Sequence, residues 1–340
     1  MKKHARLVTA LSLVVGLALF AVVVWRTGAR DLLDRVRTIG WNFGWILVVA
    51  GLRLVARSFA WQRSLEAADR GVGFFTLWRA RVIGDAVGNL TAAGPLLAEP
   101  ARLVFLSGRV SMSAAASALS IELLTYVASC AVVMAAGLTL LLLRFAISSS
   151  LRGVSLIALA VLLVGFSTAV TVMIRRWSLT SLLGRVIELS GSRHPLIAGK
   201  LEWIDRQLEQ VYKIETDIFD FYHRRPRDFS IVCLCEAAFH LLGVIEIWLM
   251  LRLIGEQPAV ATAFIFEAIN RLVTMSFAFV PARMGVDEAG TGLLAASLGL
   301  AASVGVAMAV YRKLRVLFWT AVGLALLAMQ FHQTRRQKNG

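Results

Sequence analysis

The sequence has few features that would let a soluble enzyme work. Acidic residues are scarce, 21 Asp and Glu against 36 Lys and Arg, for a formal net charge of +15 over 340 residues. Three cysteines are too few for a disulfide framework. Cys130 falls inside an apolar run, and the C-x-C pair Cys233 and Cys235 would point to different faces of a helix, so all three read as small buried hydrophobes. There is no H-E-x-x-H, no G-x-S-x-G and no Asp-rich magnesium motif, and His194 and His223 lack metal-ligand spacing. No polar stretch is long enough to fold as a separate catalytic domain. No enzymatic activity and no cofactor or metal is expected. What the chain has in abundance is apolar residues, 58% of the total, with a mean hydropathy of +0.72. Soluble domains lie nearer half apolar, so this is an all-α polytopic membrane protein. The surplus Arg belongs at cytoplasmic helix ends facing anionic lipid rather than on nucleic acid. A minority of the arginines lies inside apolar segments and needs another explanation.

Along the chain, MKKHAR and the apolar run to Val24 have the charge layout of a secretory signal. The run is too long for one and lacks an A-x-A site, so residues 1–25 are expected as a retained first helix with a cytoplasmic N-terminus. Residues 26–40 follow as a short external segment, against which their four arginines argue. A second helix over 41–63 has Trp41 and Trp45 at one end and Trp61 at the other as interfacial anchors. It carries Arg53, too deep to reach water, and Arg57, close enough to snorkel. Long helices are expected at 114–143, with Glu122 inside, at 154–174 and at 302–329, the last with Arg312, Lys313 and Arg315. Residues 178–228 read as an amphipathic connector on the cytoplasmic surface. The helix at 229–253 sets Glu236 and His240 one turn apart, where they can pair.

Two stretches interrupt this pattern. Between Glu267 and Leu298 an apolar segment carrying Glu267, Asn270 and Arg271 stops at Pro281 and resumes after Arg283, Gly285, Asp287 and Glu288. Neither piece has the ~20 residues a crossing needs. Between Arg79 and Arg109, Arg81, Asp85 and Asn89 recur at i, i+4 and i+8 on one helix face. Breaks follow at Gly94-Pro95 and at Glu99-Pro100, ahead of Arg102. Each stretch reads as a re-entrant helical hairpin, because broken backbone at membrane depth survives only inside protein or beside a wet cavity. Each also sits between a full helix and a long helix. The fold expected is therefore an inverted repeat of helix, broken re-entrant hairpin and helix within one transmembrane domain spanning 1–340. Repeat 1 covers 41–147, a connecting helix and the connector cover 154–228, and repeat 2 covers 229–330. Counting crossings from a cytoplasmic N-terminus makes the first hairpin dip from inside and the second from outside, an arrangement recurrent among secondary transporters.

The stretches GNLTAAGPLLAEPARLVFL and FVPARMGVDEAGTGLLAASLG resemble the two signature regions of the flippase-like family of the lysylphosphatidylglycerol synthase transmembrane region. That family shows a G-E-P-x-R-like motif and then P-x-x-x-G-x-x-E, and the resemblance covers about 40 to 330. Ala98 stands where the family commonly has Gly, and Ala282-Arg283 where it often has Gly-Gly. Members that synthesise lysylphosphatidylglycerol carry an aminoacyl-transferase domain after the membrane region. This sequence runs only from Met329 to Gly340 beyond its last helix, so that activity is not expected. What the resemblance implies instead is movement of a lipid between leaflets of the bacterial inner membrane.

A lipid headgroup must pass ~30 Å of hydrocarbon in a groove lined by polar groups. About ten ionisable side chains buried here without partners would cost on the order of 25–35 kcal/mol on the gentlest insertion scale. That exceeds a whole protein's stability of ~5–15 kcal/mol, so they pair or line a wet cavity. The residues expected at a substrate site are Arg53, Arg81, Asp85, Asn89, Glu99, Arg102, Glu122, Glu236, Asn270, Arg271, Arg283, Asp287, Glu288 and Arg312. Arg81, Arg102, Arg271 and Arg283 are assigned to an anionic phosphate headgroup, with Glu99, Glu122, Asp287 and Glu288 balancing them when empty. The partner expected is thus a membrane lipid. Lipid-biosynthesis proteins and a second copy of the chain remain open as further partners. Two rival readings also stay open: an intramembrane enzyme using Glu236 with His240, and a scaffold recruiting lipid-synthesis proteins through 178–228.

Overall fold

A computed structural model describes residues 40–65, 71–90, 94–176, 195–277 and 286–339. The expected first helix, the segment at 26–39, the start of the connector, and Pro281 and Arg283 lie outside the described residues. Ten α-helices follow in order: α1 Phe43–Ser64, α2 Phe74–Leu90, α3 Gly94–Leu106, α4 Met112–Arg144, α5 Ser149–Arg175, α6 Pro195–Arg224, α7 Pro226–Leu253, α8 Val260–Ser276, α9 Val286–Ser297 and α10 Ala302–Asn339. No strand occurs among the described residues. α1, α4, α5, α7 and the Ala302–Gln330 part of α10 are long and apolar enough to cross a membrane. Helix starts follow local chemistry. Ser111 Oγ accepts from Ala114 N–H and Ser148 Oγ from Leu151 N–H, capping α4 and α5. Pro226, at the first turn of α7, separates it from α6.

The frame is the antiparallel pair α1 and α7. Phe43 and Ile46 at the start of α1 pack with Met250 near the end of α7, Arg53 meets Glu246 midway, and Ala60 packs with Val232. The short pairs α2/α3 and α8/α9 enter this frame from opposite ends. Leu77 of α2 and Leu106 of α3 pack around Trp61 and Leu65 at the end of α1. Ala263 of α8 and Leu298 of α9 pack around Leu251 at the far end of α7. Each hairpin's first helix also crosses to the long helix of the other half. Ala268 on α8 abuts Gly137 on α4, where a Cβ would come 2.1 Å from the alanine methyl; Ala86 on α2 abuts Gly323 on α10, where it would come 2.6 Å away. Small residues at helix crossings are how membrane helices bring backbones together. On the outside, α5 buries only Ser155 and packs along α4. Ile218 and Phe221 of α6 join Ala60, Ile121 and Val232 in a core cluster.

Two local expectations are corrected. Helix α3 continues through Glu99-Pro100 without breaking. Pro100 forfeits one backbone bond, but α3 packs along α2, and that tertiary support outweighs the local penalty. Trp61 is fully buried beneath Arg81 rather than anchoring at an interface, while Trp41 and Trp45 are exposed. Trp61 is packed into the apolar cluster with Leu77 and Ala80 of α2 and Leu106 of α3 instead.

Candidate functional site

A cavity of about 540 Å³ lies where the inner ends of the two hairpins meet α1, α4, α7 and α10. Asn89 and Leu90 reach it from the end of α2 and Gly94 from the start of α3; Thr274, Met275 and Asp287 reach it from α8 and α9. Seven basic side chains line it against five acidic ones.

Most of these charges are held by a partner from another helix. One chain of ion pairs crosses the molecule. Arg315 on α10 and Arg53 on α1 share Glu246 on α7, Arg53 Nη1 donating to Oε2 at 2.6 Å. Arg53 Nη2 reaches Glu267 Oε1 on α8 at 3.2 Å, and Arg271 Nη2 donates to that same oxygen. Arg271 Nη1 continues to Tyr126 Oη on α4 at 3.0 Å. A second group is local to the first hairpin: Arg102 on α3 donates to Glu99 and to Asp85 on α2. At the second hairpin Lys313 pairs with Glu288, and Arg312 Nη2 donates to Thr291 Oγ1 at 2.7 Å. Asn89 Nδ2 donates to Thr320 Oγ1 at 3.1 Å, tying the first hairpin to α10.

A third group runs from Arg57 on the lining to Glu122, Arg81 and Glu236 behind the cavity wall. Glu122 accepts from Arg57 Nε at 2.7 Å and lies 3.1 Å from Arg81 Nη2, and Arg81 also donates to the Arg57 carbonyl at 3.2 Å. Glu236 has Arg57 Nε at 3.9 Å, and neither of its oxygens finds a hydrogen-bond partner among the described residues. Three guanidiniums gather round the Phe239 ring: Arg53 at 4.5 Å, Arg271 at 4.7 Å and Arg57 at 5.6 Å from its centroid. An aromatic face attracts cations and fills the apolar space beneath them.

Of the residues expected from the sequence, Arg53, Asp85, Asn89, Glu99, Arg102, Asn270, Arg271, Asp287 and Arg312 line the cavity. Arg81, Glu122 and Glu236 are buried outside its lining, Glu288 lies outside the lining and pairs with Lys313 on it, and Arg283 lies outside the described residues. The i, i+4, i+8 face of α2 splits because eight residues accumulate about 80° of drift at 3.6 per turn, so Arg81 turns toward α4 while Asn89 turns to α10. Arg57 does not snorkel; Glu122 and the Tyr126 ring, 3.8 Å from its guanidinium carbon, hold it inside. Glu236 and His240 do not pair, because His240 Nε2 is 2.9 Å from Ser129 Oγ on α4 instead. The sequence reading left Glu246, Glu267, Lys313, Arg315 and Tyr126 out of the site. A pairing signal existed for Glu267, which stands i, i+4 to Arg271; Tyr126 carried none.

These helices and their shared charged cavity define a multi-pass helical membrane protein with a polar site among apolar segments. The family model of the lysylphosphatidylglycerol synthase TM region matches residues 9–323, and the chain belongs to that family. Membership relates it to lipid headgroup modification or transport. No curated protein and no solved structure matches it.

Proposed function

We propose that the protein carries a polar lipid with an anionic, phosphate-bearing headgroup between the leaflets of the bacterial inner membrane, and that it does no covalent chemistry on that lipid. The observation that carries this reading is the meeting of two hairpins, entering from opposite ends of α1 and α7, at one charged cavity. Their reciprocal contacts, α2 on α10 and α8 on α4, support treating the halves as inverted copies. A site between such copies opens to either side by equivalent rearrangements. The lining also contains Leu123, Val127, Met275, Val316 and Leu317; Val127 and Met275 are 46% and 38% exposed, so the cavity wall continues onto the outer apolar surface. A headgroup can sit among the charges there while its tails stay in hydrocarbon. Seven cations against five anions favour a negative guest.

The arrangement around His240 supports transport over catalysis. Neither Glu236 oxygen has a hydrogen-bond partner among the described residues and His240 Nε2 lies 2.9 Å from Ser129 Oγ, so the Glu236–His240 acid–base pair that an intramembrane enzyme would use is not assembled. The test is translocation of a headgroup-labelled phospholipid in proteoliposomes, read by leaflet-specific quenching. Glu288→Gln and Arg102→Ala are expected to slow flipping at least roughly tenfold, about 1.4 kcal/mol on the barrier. Wild-type rates in correctly inserted variants would refute this assignment. Mass change in the incubated lipid would make the protein an enzyme.

A further inference from the structure

Glu267 holds its two arginines in an unusual way. Within a guanidinium, Nε and Nη2 point the same way and form a two-pronged edge suited to paired oxygens. Arg53 and Arg271 both present Nη2 to Glu267, and both to the single oxygen Oε1. Among the described residues neither Nε finds an acceptor, although both are buried. Two forks from helices α1 and α8 thus converge on one point with half of their prongs empty. The floor is the Phe239 ring, within 4.7 Å of both guanidiniums. Tyr126 Oη fixes Arg271 from the far side at 3.0 Å. The back wall is backbone. A Cβ on Gly243 would stand 2.2 Å from Glu267 Oε1, 2.6 Å from its Cδ and 3.2 Å from Arg53 Nη2, so only glycine leaves room for an anion there. Arg53, Glu267 and Arg271 all line the cavity.

We propose that the Glu267 carboxylate is an internal stand-in for a phosphate group, and that a phosphate entering the cavity takes its place on Arg53 and Arg271. A tetrahedral phosphate has enough oxygens to fill both Nε–Nη2 edges, which one carboxylate oxygen cannot do. A phosphodiester offers the two guanidiniums the same single negative charge that the carboxylate gave them, and the displaced carboxylate swings aside within the cation-rich cavity. The displaced carboxylate holds the arginines in place while the site is empty and competes with the guest when it arrives. Release is then as accessible as capture, which a carrier requires. This deepens the reading of the cavity as a headgroup site and rests on it.

The test is titration of the full chain, in detergent, with inorganic phosphate by calorimetry. Glu267→Gln removes the competitor and is expected to tighten phosphate binding at least roughly tenfold, or 1.4 kcal/mol. Adding Gly243→Ala to that variant fills the back wall and is expected to abolish the gain. Should Glu267→Gln fail to give monodisperse protein, Glu267→Asp keeps the charge but falls one methylene short of both arginines, and is expected to shift affinity in the same direction. A folded Glu267 variant that binds phosphate no more tightly than wild type overturns the proposal, even if the wild-type protein flips lipid normally. Phosphatidylglycerol in mixed micelles is expected to displace inorganic phosphate, marking the lipid headgroup as its source. Phosphate bound but not displaced would leave the anion site standing and overturn the headgroup reading.

Discussion

Removing the Glu122 carboxylate is expected to cost more than any other single truncation behind the cavity wall. Glu122 is fully buried and faces two guanidiniums, with Arg57 Nε at 2.7 Å and Arg81 Nη2 at 3.1 Å. In Glu122→Ala, Arg57 can fall back on Glu236, whose Oε1 is 3.9 Å away. Arg81 has no second carboxylate within 4.0 Å among the described residues. It is 1% exposed, with the Arg57 carbonyl at 3.2 Å and the Trp61 ring at 5.7 Å beside it. One cation is therefore stranded rather than two. Stranding a buried charge costs about 3–5 kcal/mol, so the loss is set at that value and not its double. Removing both members of the pair, in Arg81→Met with Glu122→Met, leaves Arg57 with Glu236 and restores charge balance. Apolar residues replacing a buried ion pair are often neutral or stabilising, so the double variant is expected within about 1.5 kcal/mol of wild type. The assay is equilibrium unfolding in mixed micelles, with near-ultraviolet dichroism reporting tertiary packing around the nine tryptophans. The reasoning fails if Glu122→Ala loses less than about 1 kcal/mol, or if the double variant is no more stable than the single.

Three further outcomes follow from the same packing. Gly137→Ala puts a methyl 2.1 Å from the Ala268 Cβ and is expected to cost about 1–3 kcal/mol, whereas Gly153→Ala on α5 meets nothing within 4 Å and should be neutral or gain up to about 1 kcal/mol; thermal melting distinguishes them. Arg225 Nη2 donates to the Arg63 and Leu65 carbonyls at 3.1 and 2.9 Å, closing the end of α1, so Arg225→Ala is expected to cost about 1.5–3 kcal/mol and to speed proteolysis between α6 and α7. Asn89→Leu removes the bond to Thr320 and should slow lipid translocation while leaving the unfolding midpoint within about 1 kcal/mol of wild type.

The helices that cross were legible because apolar run length is a one-dimensional property. The predicted spans 41–63 and 114–143 fall within a residue or two of α1 and α4. The hairpins were legible for the opposite reason, since charge, Gly and Pro inside short apolar pieces have few places to go. Which arginine meets which carboxylate was not legible. Arg57 and Glu122 are 65 residues apart, and Arg53 and Glu246 are 193. No local period encodes such pairs. Where local spacing did suggest one, at Glu236 and His240, the third dimension offered Ser129 and Arg57 instead. Local spacing also counted Arg81 as a cavity residue, because an eight-residue interval hides the drift of the helix. Pro100 shows the same limit, since a breaker's penalty is local and the support that overrides it is not.

The outer helix α5 answers to a different constraint from the rest of the chain. Leu156, Ile157, Val161, Leu163 and Val164 on it are each more than half exposed. Shape is not tested where the neighbour is fluid; only solubility in oil is. A saturation scan along α5 should therefore sort substitutions by greasiness alone, indifferent to branching or volume. The same scan along α7 should penalise changes of size at its buried positions, among them Val232, Val244, Ile247, Met250 and Leu251.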